Sequence, residues 1–458
     1  MKLKEYDINS KKSIVSYAQK FIDKSLNDVL EKNDILDILS LIGKYNKNRK
    51  GLLGDIVEKY LFGINNNNYA RADFEKVKIE LKTTGIKKLK SQKYSPKERL
   101  SLSMINYMSI VNEKWETSSF LEKNKLLLIM FYLSEDDKSL LEYKFKMVEL
   151  IDLISGISKA DVAQIKQDWQ KIVEKIKRGE AHNLSEADTL YLGAAPKAST
   201  SKNRRIQPYS EITAKPRAFS LKTKYLNYLI QKILSKDDKS YHSIIEKNYP
   251  LTIEENIEKR FEIYYGKTNL EIEKRLNISY DKRPKNHRRL LINKLLGASS
   301  NKIKEFEKAN ITLRVIALEK TGRLVESISF PIFKYTEIIN QDWTNSSFYK
   351  QLTEKKFLFV IFQKTKKGED ILKKVQFWNF PFKDINNVKW VWEETKKRIK
   401  EKKADKLPSI TENSIAHVRP HGRNSKDVLD TGYGKKEVKK CFWLNAKYIQ
   451  NQLNIKNT

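Results

Sequence analysis

The sequence predicts an α/β protein made of two copies of the same domain. Two short apolar runs, "LLLIMFYL" (126–133) and "FLFVIF" (357–362), are typical of central strands that are buried on both faces. Each run follows a similar aromatic and serine motif, "WETSSF" (115–120) in the first half and "WTNSSF" (343–348) in the second. The same motif ahead of the same kind of strand indicates an internal duplication.

Two further pairs of segments keep the same order in both halves. An apolar stretch that closes on glycine precedes each core, "GDIVEKYLFG" (54–63) in one half and "LLINKLLG" (290–297) in the other. Each half also ends on a similar segment, "AFSLKTKYLNYLIQ" (218–231) or "CFWLNAKYIQNQL" (441–453). Matched landmarks in one order favour duplication over chance similarity between Lys/Leu-rich segments.

The length and composition allow each copy a hydrophobic core. The chain has 458 residues, of which 40% are apolar and 10% aromatic, so it should be globular rather than disordered. The boundary should fall near the polar stretch "SKDDKSYHS" (235–243), which gives domains at residues 1–236 and 237–458. The tryptophans expected in the two cores are Trp115, Trp169, Trp343 and Trp392.

The charge balance favours a polyanionic partner. The 90 Lys and Arg residues exceed the 57 Asp and Glu residues and give a net charge of +33. Such an excess attracts phosphate backbones and releases their condensed counterions on binding. A lysine-rich proteome from an AT-rich genome is the alternative explanation, and charge alone does not separate the two.

Several other classes of protein and site are disfavoured. The single cysteine, Cys441, excludes a disulfide framework, fits a reducing cytosol and is expected to be a buried, inert thiol. The N-terminal "MKLKEYDINSKK" lacks the apolar core of a signal peptide, and the apolar runs are too short to span a bilayer. The five scattered histidines argue against a structural zinc site. We therefore expect a cytoplasmic protein without a membrane partner.

One segment of the first half carries residues that metal-dependent phosphodiester hydrolysis requires. "VKIELKTT" (77–84) alternates, so Glu80 and Lys82 share one face of a strand whose other face is apolar. Asp73 precedes this strand across an expected turn, which would bring its carboxylate beside that of Glu80. The two carboxylates would hold Mg²⁺, and the lysine would orient the attacking water or stabilise the charge of the transition state.

The residues alone leave a surface interpretation open. Glu-x-Lys is a weak signal, because it also occurs at residues 142–144, 394–396 and 437–439, where a solvated pair is a sufficient explanation. Glu58 lies beside the apolar stripe of a predicted helix. It either faces the edge of the cleft or is an ordinary exposed glutamate.

A longer series of motifs separates these alternatives. The first half contains, in order, "GDIVEKYLFG", Asp73, "ELKTTGIKKLK", "KYSPKERL", "WETSSF", "QDWQKIVEKIKRGEAHNLSE" and "AFSLK". This series resembles the MutH family, most closely its branch of Sau-type, GATC-cutting type II restriction endonucleases. The resemblance covers essentially the whole chain, because those enzymes also have two MutH-like domains in tandem.

The resemblance implies a fold, an activity and a catalytic centre. The fold would be the restriction-endonuclease-like PD-(D/E)xK α/β fold in both domains, and the activity Mg²⁺-dependent hydrolysis of double-stranded DNA at GATC. Asp73 and Glu80 would be the metal ligands, and Lys82 the catalytic lysine. Glu58 would be an additional carboxylate of the centre, and Lys123, which follows "WETSSF", a further lysine near the scissile phosphate.

Two positions of the first half depart from the family pattern. The base-reading loop of the family ends in Arg-Pro-Lys, but here Ala195 precedes Pro196 and Lys197, so the arginine is missing. The mismatch-repair branch has a tyrosine linked to sensing adenine methylation where this chain has Ser220. We therefore hypothesise that cutting is not directed by hemimethylated DNA.

The second half keeps the strand pattern and loses the chemistry. Thr312 and Arg314 stand opposite the glutamate and lysine of the Glu-x-Lys motif, and Asn293 stands opposite the helix glutamate. Glu305 is the remaining replacement for the first carboxylate, and a lone carboxylate holds a catalytic metal poorly. We expect this half to be chemically inactive.

Basic residues of both halves are expected to contact DNA. Arg419 of the second half stands at the base-reading position, and arginine makes bidentate contacts to guanine. The second domain is therefore expected to be an effector that binds DNA without cutting it. The predicted DNA-binding residues are Lys197, Arg204, Arg205, Arg217, Lys222, Arg419, His421 and Arg423, and further candidates for phosphate contacts are Lys87, Lys88, Lys90, Lys93 and Lys202.

A single active centre per chain cuts one DNA strand at a time. Double-strand cleavage would need two chains that dimerise on DNA or sequential nicking, and binding of two GATC sites at once is compatible with the second domain. A restriction system also implies a cognate DNA methyltransferase. The alternatives are a nicking endonuclease of the mismatch-repair type and a non-catalytic DNA-binding regulator.

Overall fold

The chain divides into two compact units. The computed structural model describes residues 5–44, 51–64, 71–198, 200, 202–234, 243–245, 251–278, 284 and 286–454. Unit 1 takes the described residues among 1–184, 189–239 and 246–252, and unit 2 those among 185–188, 240–245 and 253–458. The expected boundary between residues 236 and 237 lies outside the described residues.

Unit 1 is a mixed α/β structure. Its helices are α1 (Lys11–Gln19), α2 (Leu26–Val29), α3 (Lys32–Lys44), α4 (Leu52–Ile56), α5 (Tyr107–Ile110), α6 (Ser119–Asn124), α7 (Lys159–Lys177) and α8 (Thr223–Leu234). Its strands are β1 (Ile79–Lys88), β2 (Tyr94–Pro96), β3 (Leu100–Met104), β4 (Leu126–Leu133), β5 (Phe145–Asp152), β6 (Leu192–Pro196), β7 (Arg205–Gln207), β8 (Ser210–Ala214) and β9 (Arg217–Leu221). A π-helical turn, Val57–Leu61, continues α4.

The strands of unit 1 form a main sheet, a smaller sheet and a hairpin. The main sheet has the order β2-β1-β4-β5, with β1 and β4 parallel and the outer pairs antiparallel. The smaller antiparallel sheet has the order β3-β9-β6, and β7 pairs with β8. The prediction for residues 126–133 is confirmed, because β4 has these limits and lies inside the main sheet. The predicted strand at residues 77–84 begins later, at Ile79, and continues to Lys88.

Unit 2 repeats this arrangement. Its helices are α9 (Ile253–Glu262), α10 (Asn269–Arg275), α11 (His287–Leu295), α12 (Lys304–Ala309), α13 (Tyr335–Ile338), α14 (Ser347–Thr353), α15 (Ile385–Lys400) and α16 (Ala446–Gln452). Its strands are β10 (Ile311–Leu318), β11 (Ile328–Ile332), β12 (Lys356–Lys364), β13 (Asp370–Trp378), β14 (Ala416–Pro420), β15 (Val428–Asp430), β16 (Lys436–Val438) and β17 (Lys440–Leu444).

Across both units, short 3₁₀ turns lie at Trp115–Thr117, Leu140–Glu142, Ala181–Asn183, Glu186–Asp188, Trp343–Asn345 and Phe382–Asp384.

Apart from β2, which has no counterpart among the described strands of unit 2, the strand pairing of the two units matches in order and direction. The sheets of unit 2 are β10-β12-β13 and β11-β17-β14, with β10 parallel to β12, and the hairpin is β15-β16. Residues 79–82 of β1 lie opposite residues 126–129 of β4, and residues 311–314 of β10 lie opposite residues 356–359 of β12. The register therefore places Thr312 where unit 1 has Glu80. The predicted duplication of an α/β domain is confirmed at the level of topology.

The glycines that close the repeated apolar stretches occupy equivalent positions. Gly63 (φ 68°) and Gly297 (φ 70°) both adopt the left-handed conformation that ends helices without a Cβ penalty. The residue after each glycine donates a backbone hydrogen bond, Ile64 to the carbonyl of Glu58 (2.8 Å) and Ala298 to that of Asn293 (2.7 Å). Glu58 and Asn293 are therefore equivalent, and the π-helical turn accommodates one extra residue in unit 1.

The cores contain the residues expected there. Trp115, Trp169, Trp343 and Trp392 are all buried, as is Cys441, so these predictions are confirmed. The side chains from Leu127 to Phe131 on β4 are fully buried, which explains why this run is apolar without alternation. In the described part of the chain, no helix is long and apolar enough to cross a membrane.

Candidate active site and DNA interface

A tight turn brings Asp73 beside the start of β1. Phe74 and Ile79 exchange backbone hydrogen bonds of 2.9 and 3.3 Å, and Lys78 takes a positive φ of 54° to close the turn. Asp73 then accepts a hydrogen bond through Oδ2 from the backbone of Leu81 (2.9 Å). Its own backbone N–H donates to Glu80 Oε2 (3.3 Å). The predicted approach of the two acidic residues is thus present in the structure.

Glu80 forms a buried ion cluster with two lysines. Its side chain is only 1% exposed, and its Oε1 accepts a short hydrogen bond from Lys82 Nζ. Lys123 Nζ lies 3.7 Å from the same oxygen. Lys123 is placed by α6, whose N-cap Ser118 accepts from the backbone of Leu121. The Glu80 carboxylate therefore lies buried at the bottom of the site and is not part of a solvated strand face.

Burial and the neighbouring charges act in opposite directions on the ionised groups of this cluster. Burial raises the pKa of Glu80, and the neighbouring Asp73 adds to this effect, whereas Lys82 and Lys123 oppose it. Burial acts against the charge of Lys82, but the carboxylates of Glu80, Asp73 and Glu58 outweigh it and raise the Lys82 pKa. Lys82 accordingly keeps its proton at neutral pH.

Glu58 faces the same cluster from the π-helical turn. Burial raises its pKa to about 7, with contributions from Asp73, Asp55 and Glu80 against the charge of Lys82. These interactions favour the cleft-edge interpretation of Glu58 over an exposed surface glutamate. Helical π-turns are frequent at functional sites, and here the extra residue of the turn helps to orient this carboxylate.

The carboxylates fit a divalent cation that keeps part of its water. Oxygen atoms of Asp73 and Glu80 are hard ligands of the kind Mg²⁺ prefers, and Asp73 Oδ1 accepts no hydrogen bond from any described residue. No group of three or more His, Cys, Asp and Glu side chains within the described ranges has a metal-binding arrangement. Two carboxylates are nevertheless sufficient, because Mg²⁺ is commonly held by one or two carboxylates plus substrate phosphate.

An open cleft of about 630 Å³ lies over Glu80 and Lys82. Its lining includes two of the predicted DNA-binding residues, Lys197 and Arg205, together with Lys123. Desolvation in the cleft lowers the pKa of Lys197, and the nearby charge of Lys82 lowers it further. The cleft therefore presents cations towards the space above the carboxylates, which suits a phosphodiester.

Two residues predicted to contact DNA have structural partners. Arg217 is 4% exposed and donates to the backbone carbonyls of Ala194 (2.6 Å) and Leu184. Lys222 is 8% exposed and donates to the carbonyl of Thr189. Each side chain is buried and satisfies a backbone acceptor, which gives both residues a structural role, and their contact to DNA stays a prediction.

A buried carboxylate that the sequence analysis overlooked supports the same region. Asp168 is fully buried on α7 and accepts backbone hydrogen bonds from Leu190 (2.9 Å), Tyr191 (2.6 Å) and Leu192 (2.9 Å). These bonds fix the start of β6, the strand that leads to Lys197. In the sequence, Asp168 stands between Ile165 and Trp169 on the apolar face of α7, where a charged side chain needs a hydrogen-bond partner.

The other predicted phosphate contacts of unit 1 lie on the surface. Arg204 and Arg205 are exposed, and the same holds for Lys87, Lys88, Lys90, Lys93 and Lys202. Exposure is compatible with contact to DNA and does not test it. Contact to DNA at these positions stays a prediction.

Among the described residues of unit 2, the positions equivalent to the predicted catalytic residues carry other side chains. Arg314 donates to the carbonyl of Ser329 (3.0 Å), and burial lowers its pKa. Glu305 is 4% exposed and accepts hydrogen bonds from Ser243 Oγ (2.6 Å) and the backbone of Ile244 (3.1 Å), so it is committed to the local structure. Gln351, a position the sequence analysis did not consider, replaces Lys123, because it is equally placed after the N-cap serine of α14.

The predicted base-reading residues of unit 2 surround one tryptophan. The guanidinium of Arg419 stacks over the ring of Trp443, 3.8 Å from its centroid, and His421 meets the same ring edge-on at 5.1 Å. In the pairing of β14 with β17, Trp443 holds the position that Ser220 holds in unit 1. Arg423 lies beyond the strand and is exposed. Unit 2 thus presents a planar cation held in place by an aromatic ring.

Comparison with known proteins identifies the family. The chain matches the family of the DNA mismatch repair enzyme MutH twice, at residues 62–168 and 296–402. It is also 32% identical over 468 residues to the type II restriction enzyme Sau3AI of Staphylococcus aureus, an alignment that covers 95% of this chain and 92% of that enzyme. The chain belongs to the MutH family. The first MutH match includes Asp73, Glu80, Lys82 and Lys123, whereas Glu58 precedes it.

Proposed function

We propose that this protein is a cytoplasmic type II restriction endonuclease of the PD-(D/E)xK class. It hydrolyses double-stranded DNA at GATC with Mg²⁺, using unit 1, while unit 2 binds DNA without cutting it. The observation that carries this proposal is the convergence of Asp73, Glu80 and Lys82 in unit 1, set against their loss at the same register in unit 2. The family membership and the similarity to Sau3AI support it.

The carboxylates and the lysines have separate tasks in this reaction. Asp73 and Glu80 hold Mg²⁺, which when bound polarises the phosphate and lowers the pKa of coordinated water. Lys82 stays protonated, so its Nζ donates hydrogen bonds to the attacking water or to a non-bridging phosphate oxygen. Lys123, whose Nζ lies 3.7 Å from the same Glu80 oxygen, supplies a second positive charge towards the same phosphate.

Glu58 and Lys197 complete the surroundings of the scissile bond. Glu58 adds a carboxylate whose charge depends on pH near neutrality, since its pKa is about 7. Lys197 and Arg205 line the cleft above the lysine and glutamate, where they hold the phosphate backbone in position. These contacts position the duplex and do not read its sequence.

The role of unit 2 is proposed from its preserved fold and altered side chains. Thr312, Arg314 and Gln351 leave no carboxylate and no paired lysine for hydrolysis at the equivalent position. Arg419 and His421 still form an exposed cationic and aromatic group around Trp443. An arginine held flat by a ring suits bidentate recognition of guanine, so unit 2 is proposed to occupy DNA as an effector.

One catalytic centre per chain limits what a single chain can do. Cutting both strands requires two chains that assemble on the duplex, or two successive nicks by one chain. A second DNA site on unit 2 would allow two GATC sites to be held at once. A methyltransferase that protects the host GATC sites would complete the restriction system.

Digestion of unmodified plasmid with Mg²⁺ tests the proposal. Discrete linear fragments are expected, and sequencing of their ends should place every cut at GATC. Nicked circles alone would favour a mismatch-repair type of nickase instead. A mobility shift without cutting would favour a non-catalytic regulator and refute the endonuclease.

A matched pair of variants tests the location of the centre. Glu80→Ala should abolish cleavage while leaving DNA binding in Ca²⁺ nearly unchanged, because the metal ligand is lost and the phosphate contacts remain. Thr312→Ala, at the same register of unit 2, should cut like the wild-type protein. Retained cutting by Glu80→Ala would show that another carboxylate binds the metal.

The Ser220 hypothesis has its own test. Unmethylated, hemimethylated and fully adenine-methylated GATC duplexes should be cut at similar rates, because the buried Ser220 hydroxyl has no aromatic ring to meet a methyl group. A strict requirement for the hemimethylated duplex would refute it.

A further inference from the structure

The hairpin β7-β8 of unit 1 exposes an unusual amount of apolar surface. Ile206 is 70% exposed, Tyr209 74% and Ile212 58%. All three lie within a short two-stranded ribbon in which Arg205 pairs with Ala214 and Gln207 with Ser210. Exposed apolar side chains concentrated on one element of a soluble protein usually mark a contact surface.

The ribbon is held firmly in spite of its exposure. Gln207 is buried at its base, where its Oε1 accepts from the backbone of Ala181 (2.7 Å) and its Nε2 lies 3.0 Å from His182 Nδ1. Gly179, with φ 72°, allows the close approach of the Tyr209 carbonyl, which a Cβ would meet at 2.5 Å. The apolar residues are therefore presented outwards by a fixed scaffold.

The ribbon also adjoins the proposed catalytic cleft. Arg205 and Ile206 line the same cleft as Glu80 and Lys82. Lys202 and Arg204, which immediately precede the ribbon, are exposed cations. A ligand that contacts the ribbon therefore also places its phosphate over the carboxylates. The neighbouring cations indicate that this ligand is negatively charged.

The corresponding hairpin of unit 2 shows that this exposure is not a requirement of the fold. It consists of β15 and β16, and its apolar residues Leu429 and Tyr433 pack against the core of unit 2. Tyr433 also accepts a hydrogen bond from the backbone of Ala404 (3.3 Å). Residues 428–438 are all described, and none of them is a large exposed apolar residue. Only the copy that carries the catalytic residues turns this surface outwards.

We propose that the β7-β8 hairpin enters the major groove of the duplex, where Ile206 and Ile212 contact the methyl groups of thymine. The inference rests on the proposed function and assigns part of its sequence discrimination to this ribbon. The major groove admits a two-stranded ribbon, and the thymine methyl is its apolar feature. Arg204 and Arg205 then contact the flanking phosphates.

Binding in Ca²⁺ to matched thymine and uracil duplexes tests this contact, because uracil lacks only the methyl group. The double variant Ile206→Thr/Ile212→Thr keeps β-branched side chains in the ribbon and removes apolar surface. We expect it to bind the thymine duplex about tenfold more weakly than wild type, since apolar surface is no longer removed from water. Wild type should prefer the thymine duplex, and the variant should show little preference.

Two controls make the result specific. Leu36→Gln/Leu39→Gln changes two exposed leucines of α3 and should bind both duplexes like wild type. The salt dependence of binding should be unchanged in the isoleucine variant and shallower in Arg205→Gln, because only the arginine neutralises phosphate.

Each outcome has a defined meaning. A wild-type protein that cuts DNA but binds thymine and uracil duplexes equally would overturn the groove contact and leave the endonuclease intact. The same holds if the isoleucine variant binds like wild type. Failure of the wild-type protein to bind or cut any duplex would instead overturn the proposed function.

Discussion

Strand β1 pairs with β4 as strand β10 pairs with β12, in the same register, and the two strands carry different chemistry. In β1 the buried Glu80 is paired with Lys82 and approached by Lys123, whereas in β10 the corresponding residue is Thr312. Ile79 and Leu81 of β1 correspond to Ile311 and Leu313 of β10, so the opposite face of the strand keeps apolar residues at these positions. The comparison indicates that packing constrains one face of the strand, while the residues of the cleft face differ between the two copies.

The largest expected effect distinguishes Lys82 of unit 1 from Arg314, which holds the equivalent position in unit 2. Lys82→Ala should lower the single-turnover cleavage rate by about 10³-fold, because a charge that stabilises the transition state is removed. Arg314→Ala should cut at nearly the wild-type rate, since Arg314 bonds to the carbonyl of Ser329 in the unit that we propose not to cut. Cleavage of a labelled GATC duplex measures both. A comparable loss in Arg314→Ala would show that unit 2 takes part in the chemistry.

The helix carboxylate gives a pH-dependent contrast. The pKa of Glu58 is about 7 in the folded protein against 4.5 for an unperturbed glutamate, whereas its counterpart Asn293 cannot titrate. Between pH 4.5 and 7 the folded state therefore binds more protons than the unfolded state. The stability that protonated Glu58 contributes is complete below pH 4.5 and is lost as the pH rises through 7.

Glu58→Gln should remove this dependence in metal-free protein. At pH 8 the variant should be more stable than wild type by about 2 kcal/mol, after allowance for partial solvent contact, and the difference should vanish near pH 4.5. Urea unfolding in a chelator at several pH values measures it. Glu122→Gln, which removes an exposed carboxylate, is the control for loss of charge. A constant difference across this range would contradict the raised pKa.

The sequence predicts local features of the site, such as strands and shared strand faces, better than the long-range partners of its side chains. The limits of β4 follow from its continuous apolar run, and the shared face of Glu80 and Lys82 follows from the alternation of residues 77–84, so both signals are local to the chain. Arg217 and Lys222 are also basic, but their hydrogen-bond partners are carbonyls that lie far along the chain or across a sheet. Such partners depend on tertiary packing, and a list of charges does not reveal them.

The aromatic support of Arg419 gives a smaller contrast with unit 1, where Ala195 holds its position. Arg419→Ala should weaken binding to a GATC duplex in Ca²⁺ by about tenfold, the value of one bidentate base contact. Arg419→Lys should be nearly as weak, because lysine keeps the charge but loses the planar group that stacks on Trp443. Wild-type binding by Arg419→Lys would show that only the positive charge of Arg419, and not its planar group, contributes to the contact.

The smallest expected effect tests whether the buried faces of the two copies are interchangeable. Cys441 of β17 lies opposite Arg419, and Ala218 of β9 lies opposite Ala195, so Cys441→Ala installs the residue of the other copy. The change should lower the free energy of unfolding by only about 1 kcal/mol, because a small cavity forms in a region that tolerates alanine in unit 1. DNA cleavage should be unchanged.

The Cys441 thiol provides an independent measurement in the wild-type protein. Burial raises its pKa to about 11, so it should not react with a thiol reagent at neutral pH while unit 2 is folded. Because the chain has one cysteine, any labelling reports the opening of unit 2 alone. Labelling that requires the same urea concentration as global unfolding would mean that the two units unfold together. Labelling at lower urea, with cleavage retained, would show that unit 1 stays folded and cuts DNA while unit 2 is unfolded.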